Sequence, residues 1–132
     1  MKCAPLQKKK IIGGSNVPTD TYPWFAQMQG AGKLCGASLV TPEFVLTAAH
    51  CLSDTMQNYR VGTLCKNDDD NCGQDYEVLY KQQVFVHPEW DEKTATHDLM
   101  LVKLEGRASN NPIAMDEDSL SSSYIGGKYY HK

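Results

Sequence analysis

The chain has 132 residues, of which 41% are hydrophobic and 22% charged, and its formal net charge is −3. This length accommodates one domain with a sizeable core and is too short for two typical domains. The acidic balance argues against nucleic acid as the main partner, because phosphate binding needs a basic face, and no apolar run approaches the length that spans a bilayer.

Residues 1–10 form a basic segment, and the first six of them lack the apolar core of a signal peptide. A short lysine run is most often a solvated charged surface. The lysines are Lys2, Lys8, Lys9 and Lys10.

The chain has five cysteines, and four of them fall into two pairs that are close in sequence. Paired cysteines suggest an oxidising compartment, although no signal peptide precedes them. Either the N-terminus of this sequence is incomplete or the cysteines are reduced and buried. We expect the first, and with it an extracellular or secretory-pathway location. The pairs are Cys35 with Cys51 and Cys65 with Cys72, and Cys3 is left over.

Short apolar segments alternate with turn residues after residue 24, and no long helical period interrupts them. The pattern predicts an all-β fold. The segments at 84–86 and 99–102 are apolar on both faces, as expected of strands in a closed barrel. Residues 119–132, rich in Ser, Gly and Tyr, are predicted to be a linker or tail. The predicted strands are Phe25–Gln29, residues 34–40, Phe44–Thr47, and residues 59–64, 76–86 and 99–104.

His50 is a candidate general base. A histidine that takes a proton from a hydroxyl needs one nitrogen available and the other held by a carboxylate. Ala48 and Ala49 before it are small and allow neighbouring strands to approach. A lone histidine is more often a core residue beside a structural cysteine, but the Ala-Ala-His-Cys sequence with an upstream Cys-Gly favours the base.

Asp98 is the candidate partner of that base. It begins an apolar run, where a carboxylate is costly unless it accepts hydrogen bonds. An imidazole N–H would be a suitable donor and would fix the useful tautomer of His50. The alternative is an aspartate that caps a strand at the surface, and the sequence alone does not place Asp98 near His50.

These motifs together resemble the trypsin and chymotrypsin family of serine endopeptidases. The resemblance extends from Ile11 to about Ser119, and the order of histidine before aspartate is that of this family. The segments that carry it are residues 11–14, 22–24, 34–39, 45–51, 87–88 and 97–104.

The resemblance implies a six-stranded antiparallel β-barrel over residues 11–118, equivalent to the N-terminal barrel of the family, with the second barrel missing. It implies peptide-bond hydrolysis, with His50 as general base and acid and Asp98 as its orienting group. It also implies a disulfide between Cys35 and Cys51, and cleavage of a propeptide-like segment between Lys10 and Ile11. The expected partners are protein or peptide substrates, with no nucleic acid or membrane.

The family's nucleophile motif, Gly-Asp-Ser-Gly-Gly, does not occur in the sequence. The serines at 121–123 lie in the predicted tail and are not expected to replace it. We therefore expect an incomplete and inactive part of a serine endopeptidase. The alternative is a protease homologue that acts as a binding module without catalysis. In either case the face with His50 and Asp98 would be exposed, which favours self-association or instability.

No cofactor and no metal site are predicted. Cys65 and Cys72 flank an acidic run at 67–71, in a region where many relatives bind calcium. The run lacks the spacing of an EF-hand, and a solvated loop is the better interpretation. A zinc site made of Cys35, His50 and Cys51 is disfavoured, because adjacent residues rarely reach one tetrahedral metal together.

Overall fold

Six antiparallel strands close into one barrel, in the spatial order β1-β2-β3-β6-β5-β4. The structure is a computed structural model that describes residues 12–15, 17–18, 21–30, 34–62 and 76–115. The all-β class and the six-stranded antiparallel barrel are thus confirmed. The strands are β1 (Phe25–Gln29), β2 (Gly36–Thr41), β3 (Phe44–Thr47), β4 (Asn58–Val61), β5 (Glu77–Val86) and β6 (Met100–Leu104).

The bounds of β1 and β3 are as predicted, and those of the other strands differ by a few residues. β4 ends at Val61, before the predicted end at residue 64, because Gly62 has a φ of 89° and turns the chain out of the strand. β6 begins one residue late, because the Leu99 N–H donates to the His97 carbonyl in a turn. The remaining corrections are β2, which begins at Gly36 rather than residue 34 and ends at Thr41, β4, which begins at Asn58 rather than residue 59, and β5, which begins at Glu77 rather than residue 76.

Apolar side chains from alternate positions of the strands fill the interior. In β6, Met100, Val102 and Leu104 are buried while Leu101 between them is partly exposed, since successive side chains of a strand point to opposite faces. Burial of this surface is the main stabilising contribution to such a fold. The largest fully buried side chains are Tyr59, Met28, Leu39, Met56, Met100, Leu104, Val45, Val61 and Val102.

The buried Tyr59 is the largest polar side chain of this core. Its hydroxyl donates to the Met56 sulfur at 3.1 Å, deep in the barrel. Burial raises the pKa of Tyr59 to about 12, because the phenolate would be poorly solvated there. The phenol therefore acts as a neutral core side chain at any physiological pH.

An apolar surface also covers part of the barrel's outside, across β3, β6 and β5. Leu101 lies opposite Leu46 on one side and opposite Phe85 on the other. The rings of Phe85 and Phe44 are 6.4 Å apart, and Phe85 remains 45% exposed. We call these four residues the outer apolar face; they explain why the β5 and β6 sequences are apolar on both sides.

The chain after β6 returns along the barrel and is held by polar contacts. Burial raises the pKa of the Glu77 carboxyl, but hydrogen bonds from the Ser109 hydroxyl and the Ser109 and Asn110 N–H groups outweigh it and lower the pKa overall. The Asn110 amide donates to the Pro23 carbonyl at 2.9 Å, and the Ile113 N–H to the Leu39 carbonyl at 2.8 Å. These contacts fix the chain through residue 113 against the barrel.

Across the described ranges, no helix has the length and apolarity needed to cross a membrane.

Replacing Leu39 by alanine should lower the free energy of unfolding by about 2–5 kcal/mol, because Leu39 is fully buried and its loss leaves a cavity. Urea unfolding followed by tryptophan fluorescence measures the change. Leu101→Ala removes the same atoms from the outer apolar face and should cost well under half as much. Equal losses in the two variants would contradict the inside–outside assignment of β2 and β6.

Candidate functional site

The pairing of β3 with β6 brings the two candidate catalytic residues to one end of the barrel. Thr47, the last residue of β3, lies opposite Met100, the first residue of β6. A short 3₁₀ helix, Ala49–Cys51, follows β3 and carries His50. Asp98 lies two residues before β6. The strand register therefore places residues 50 and 98 side by side although they are 48 positions apart in sequence.

The Asp98 carboxylate holds His50 by both of its oxygens. Oδ2 lies 2.6 Å from the imidazole Nδ1, and Oδ1 accepts the His50 backbone N–H at 2.8 Å. One carboxylate thus fixes both the ring of His50 and the main chain from which the ring extends. In the tautomer that donates from Nδ1 to Asp98, the lone pair of the neutral imidazole lies on Nε2.

These contacts lower the pKa of Asp98. The side-chain hydrogen bond from His50 is the largest cause, and the backbone N–H groups of His50 and Ala49 and the charge of the imidazolium act in the same direction. Partial desolvation opposes them without reversing the shift. The carboxylate therefore stays ionised over the neutral pH range, where an ionised partner orients and supports the imidazole.

Two further links hold the chain around His50. The expected disulfide joins Cys35, just before β2, to Cys51, with the two Cα atoms 6.1 Å apart. The buried Thr47 hydroxyl donates to the Gly36 carbonyl at 2.8 Å. The disulfide restricts the 3₁₀ helix to the neighbourhood of β2, because Cys51 belongs to the helix and Cys35 directly precedes the strand. Closing a loop of this length also stabilises a fold by roughly 3 kcal/mol.

The site is open to solvent on the histidine side. The His50 side chain is 63% exposed, whereas that of Asp98 is 26% exposed. Leu52 after the 3₁₀ helix and Leu99 before β6 are also about half exposed. We call His50, Asp98, Leu52 and Leu99 the cleft face. A proton donor can approach the exposed imidazole of His50 without any change in the contacts between His50 and Asp98.

Several predicted site residues lie outside the described residues. These include both sides of the expected cleavage site, the second cysteine pair and the serines of the predicted tail, so their roles remain predictions. The sulfurs of Cys35 and Cys51 are both used in the disulfide, so these residues offer no thiolates to a metal beside His50. The residues outside are Lys10, Ile11, Cys65, Cys72 and Ser121, Ser122 and Ser123.

A second polar cluster, which the sequence did not predict, lies in the loop between β5 and β6. His87, Glu89 and His97 each bring a ligand-type atom within 4.8 Å of the others. In the sequence, His87 and His97 stand out only as parts of the family motifs. The signal that could have found the cluster is the recurrence of histidine at both ends of one hairpin loop, which a pairing of β5 with β6 makes neighbours.

Comparison with known proteins agrees with this architecture. A family model described as Trypsin matches residues 11–123. The chain belongs to the trypsin family. Chymase of Papio hamadryas is 34% identical over 112 residues, which are 81% of this chain and 44% of that protein. Chymotrypsin-C of Bos taurus is 34% identical over 108 residues, 76% of this chain and 39% of the relative.

The trypsin-family chain thus spans about two fifths of the length of these relatives. Mast cell protease 3 of Ovis aries, 34% identical over 103 residues, is covered to 39% as well. The resemblance predicted from residue 11 to about residue 119 is confirmed by the extent of the family match. Membership of this family supports proteolysis in general.

Asp98→Asn should remove an acid-dependent part of the stability of this trypsin-family barrel. Because the folded-state pKa of Asp98 lies below the unfolded value near 3.9, its contribution is complete above that value and is lost as the pH falls through the folded-state pKa. Urea unfolding at pH 7 and at steps down to pH 2 should show the variant less stable at neutral pH, with the difference closing in acid.

Asp54→Asn is the matched control, since Asp54 is an exposed aspartate after the same 3₁₀ helix. It should follow the pH dependence of the parent chain. A stability difference for Asp98→Asn that stayed constant from neutral to strongly acidic pH would contradict the assignment of the carboxylate as the charged partner of His50.

Proposed function

We propose that this chain provides the general base and its orienting carboxylate for a serine endopeptidase, and that the serine comes from outside the 132 residues. The observation that supports this most is that the Asp98 carboxylate makes hydrogen bonds to both the Nδ1 and the backbone N–H of His50. Holding the ring and its main chain together is what fixed positioning of a proton acceptor requires.

In the proposed reaction the serine hydroxyl oxygen attacks the carbonyl carbon of a peptide bond while its proton passes to His50 Nε2. The resulting imidazolium is stabilised by the ionised Asp98, which does not take the proton itself. His50 then gives the proton to the amine as the C–N bond breaks, leaving an acyl-enzyme. Water repeats the sequence, with His50 again as base, and releases the acid and the serine.

We propose that the chain alone supplies no nucleophile for this reaction. The Gly-Asp-Ser-Gly-Gly motif is absent from its sequence, and two described serines are engaged elsewhere: Ser53 with Thr55 and Ser109 with Glu77. The oxyanion donors and the specificity pocket of the family would come with the same outside segment. We therefore propose that the chain by itself is inactive and that substrate preference is set by the part that completes it.

Two further features belong to the same proposal. Cleavage between Lys10 and Ile11 would convert a zymogen, because a basic residue before the Ile-Ile-Gly-Gly sequence is the family's activation signal. The Cys35–Cys51 disulfide supports a secreted, oxidising location. Protein or peptide chains are the proposed substrates in that location.

The competing function is a binding module that uses the exposed barrel without catalysis. The observation that favours it is the exposure of Leu52 and Leu99, each of which lies within two residues of His50 or Asp98 along the chain. Such a surface would bind another protein, including a second copy of the chain. This alternative needs no nucleophile and predicts that loss of His50 leaves function intact.

The catalytic proposal is tested with a fluorophosphonate probe, which labels an activated serine. The chain alone should not be labelled. A fusion of residues 1–115 to the portion of bovine chymotrypsin-C beyond its matched region should be labelled and should hydrolyse peptide substrates after cleavage at Lys10. His50→Gln in the fusion should lower kcat by roughly 10⁴-fold or more, as expected for loss of a triad member.

Circular dichroism and the thermal transition show whether each fusion is folded, and Gln57→Glu, an exposed change outside the site, is the matched control. Labelling of the 132-residue chain alone would overturn the proposal that its nucleophile lies elsewhere. A folded fusion in which His50→Gln kept full activity would overturn the role of His50 and favour the binding module.

Self-association through the cleft face should appear in sedimentation velocity as a concentration-dependent increase in mass of the purified chain. The double variant Leu52→Ser with Leu99→Ser should reduce it, because it removes the two exposed apolar side chains beside His50 and Asp98. Phe85→Ser, which changes the outer apolar face instead, should leave it intact. A monomer at all concentrations would exclude this mode of association.

A further inference from the structure

A second cluster of metal-ligating side chains lies in the loop that connects β5 and β6. It consists of His87, Glu89 and His97, whose ligand-type atoms all lie within 4.8 Å of one another. His97 Nε2 is 3.8 Å from Glu89 Oε2, and the two imidazole rings are stacked with their centroids 4.7 Å apart. We call these three residues the loop cluster. Nothing in the proposed proteolysis uses them.

The main chain, rather than chance side-chain rotamers, brings the loop cluster together. The His87 N–H donates to the Leu99 carbonyl at 2.9 Å, which continues the β5–β6 pairing beyond the strands. Asp91 and Thr96 form an isolated antiparallel bridge within the loop. His97 has a φ of 56°, so the chain turns sharply just before Asp98. The loop therefore closes on itself with both histidines at its base.

We propose that the loop cluster binds a divalent transition-metal ion, with Zn²⁺ as the best match. Two imidazole nitrogens and one carboxylate oxygen form a ligand set typical of zinc, with a fourth position for water. Imidazole ligands also select Zn²⁺, Cu²⁺ and Ni²⁺ over Ca²⁺ and Mg²⁺, which prefer sites made of oxygen atoms. The proposed metal site is separate from the His50–Asp98 pair. Both oxygens of Asp98 contact His50, and Asp98 is not among the ligands of the loop cluster.

Metal binding requires changes in the side-chain positions of the loop cluster. These changes do not require repacking of the core, because Glu89 and His97 are exposed and His87 is only partly buried. Tetrahedral coordination brings ligand atoms to roughly 3.3 Å from one another, so the present distances must shorten. The stacked rings must rotate apart, since one ion cannot lie in the planes of two nearly parallel rings. If His87 binds through Nδ1, that nitrogen must release the Glu89 N–H that it now accepts at 3.1 Å, and this exposed N–H can bind water instead.

Isothermal titration calorimetry of the disulfide-intact 132-residue chain with Zn²⁺ tests the proposal. We expect one site whose affinity falls roughly tenfold or more in Glu89→Gln and in His97→Asn. Asparagine is chosen because it tolerates the positive φ of residue 97. Glu92→Gln makes the same charge change in the same loop, outside the cluster, and should bind like the parent. Ca²⁺ should give no comparable binding.

Imidazole resonances of the parent chain give a second measurement that does not depend on whether a variant folds. In two-dimensional ¹H–¹⁵N spectra, Zn²⁺ should shift the ring nitrogens of His87 and His97 and leave those of His50 in place. Absence of binding, equal affinity in Glu89→Gln, His97→Asn and Glu92→Gln, or a shift confined to His50 or His131 would each overturn the proposal. None of these outcomes bears on the proposed protease function.

Discussion

The pairing of β3 with β6 is the constraint on which the rest of the structure depends. It sets Thr47 opposite Met100, and from that register the 3₁₀ helix with His50 and the turn with Asp98 meet at one end of the barrel. The same two strands contribute buried side chains such as Val45 and Val102 to the core. Stability and site geometry therefore share one set of backbone hydrogen bonds, and a shift of register by one residue would lose both.

The barrel core and the surface around His50 differ in their exposure to solvent. The core is closed and apolar, and the carboxylate side of the His50–Asp98 pair is held by three backbone or side-chain donors. The His50 side chain is 63% exposed, and Leu52 and Leu99, which are close to His50 and Asp98 in sequence, are about half exposed. The barrel interior is therefore closed by the chain's own side chains, whereas the surface that carries His50 is accessible to solvent.

The strands were predictable from local sequence, and the site was less directly so. Turn residues and short apolar runs placed all six strands to within a few residues, and the end of β4 and the start of β6 were misplaced where a positive φ, at Gly62 and His97, turns the chain. The contact between His50 and Asp98 spans 48 positions, so local patterns could not predict it; the family resemblance suggested it. The loop cluster was missed because it arises from a loop closing on itself, which no spacing rule describes.

Closure of the barrel has a consequence for the way this polypeptide can assemble. The β1–β4 seam is fully paired from Ala26 with Val61 to Gln29 with Asn58, so the barrel formed by the described strands leaves no open edge to act as a template for another chain. Association through an exposed side chain such as Leu99 would therefore proceed by side-chain contact rather than by addition of a strand. Fibrous growth by strand addition would first require that seam to break.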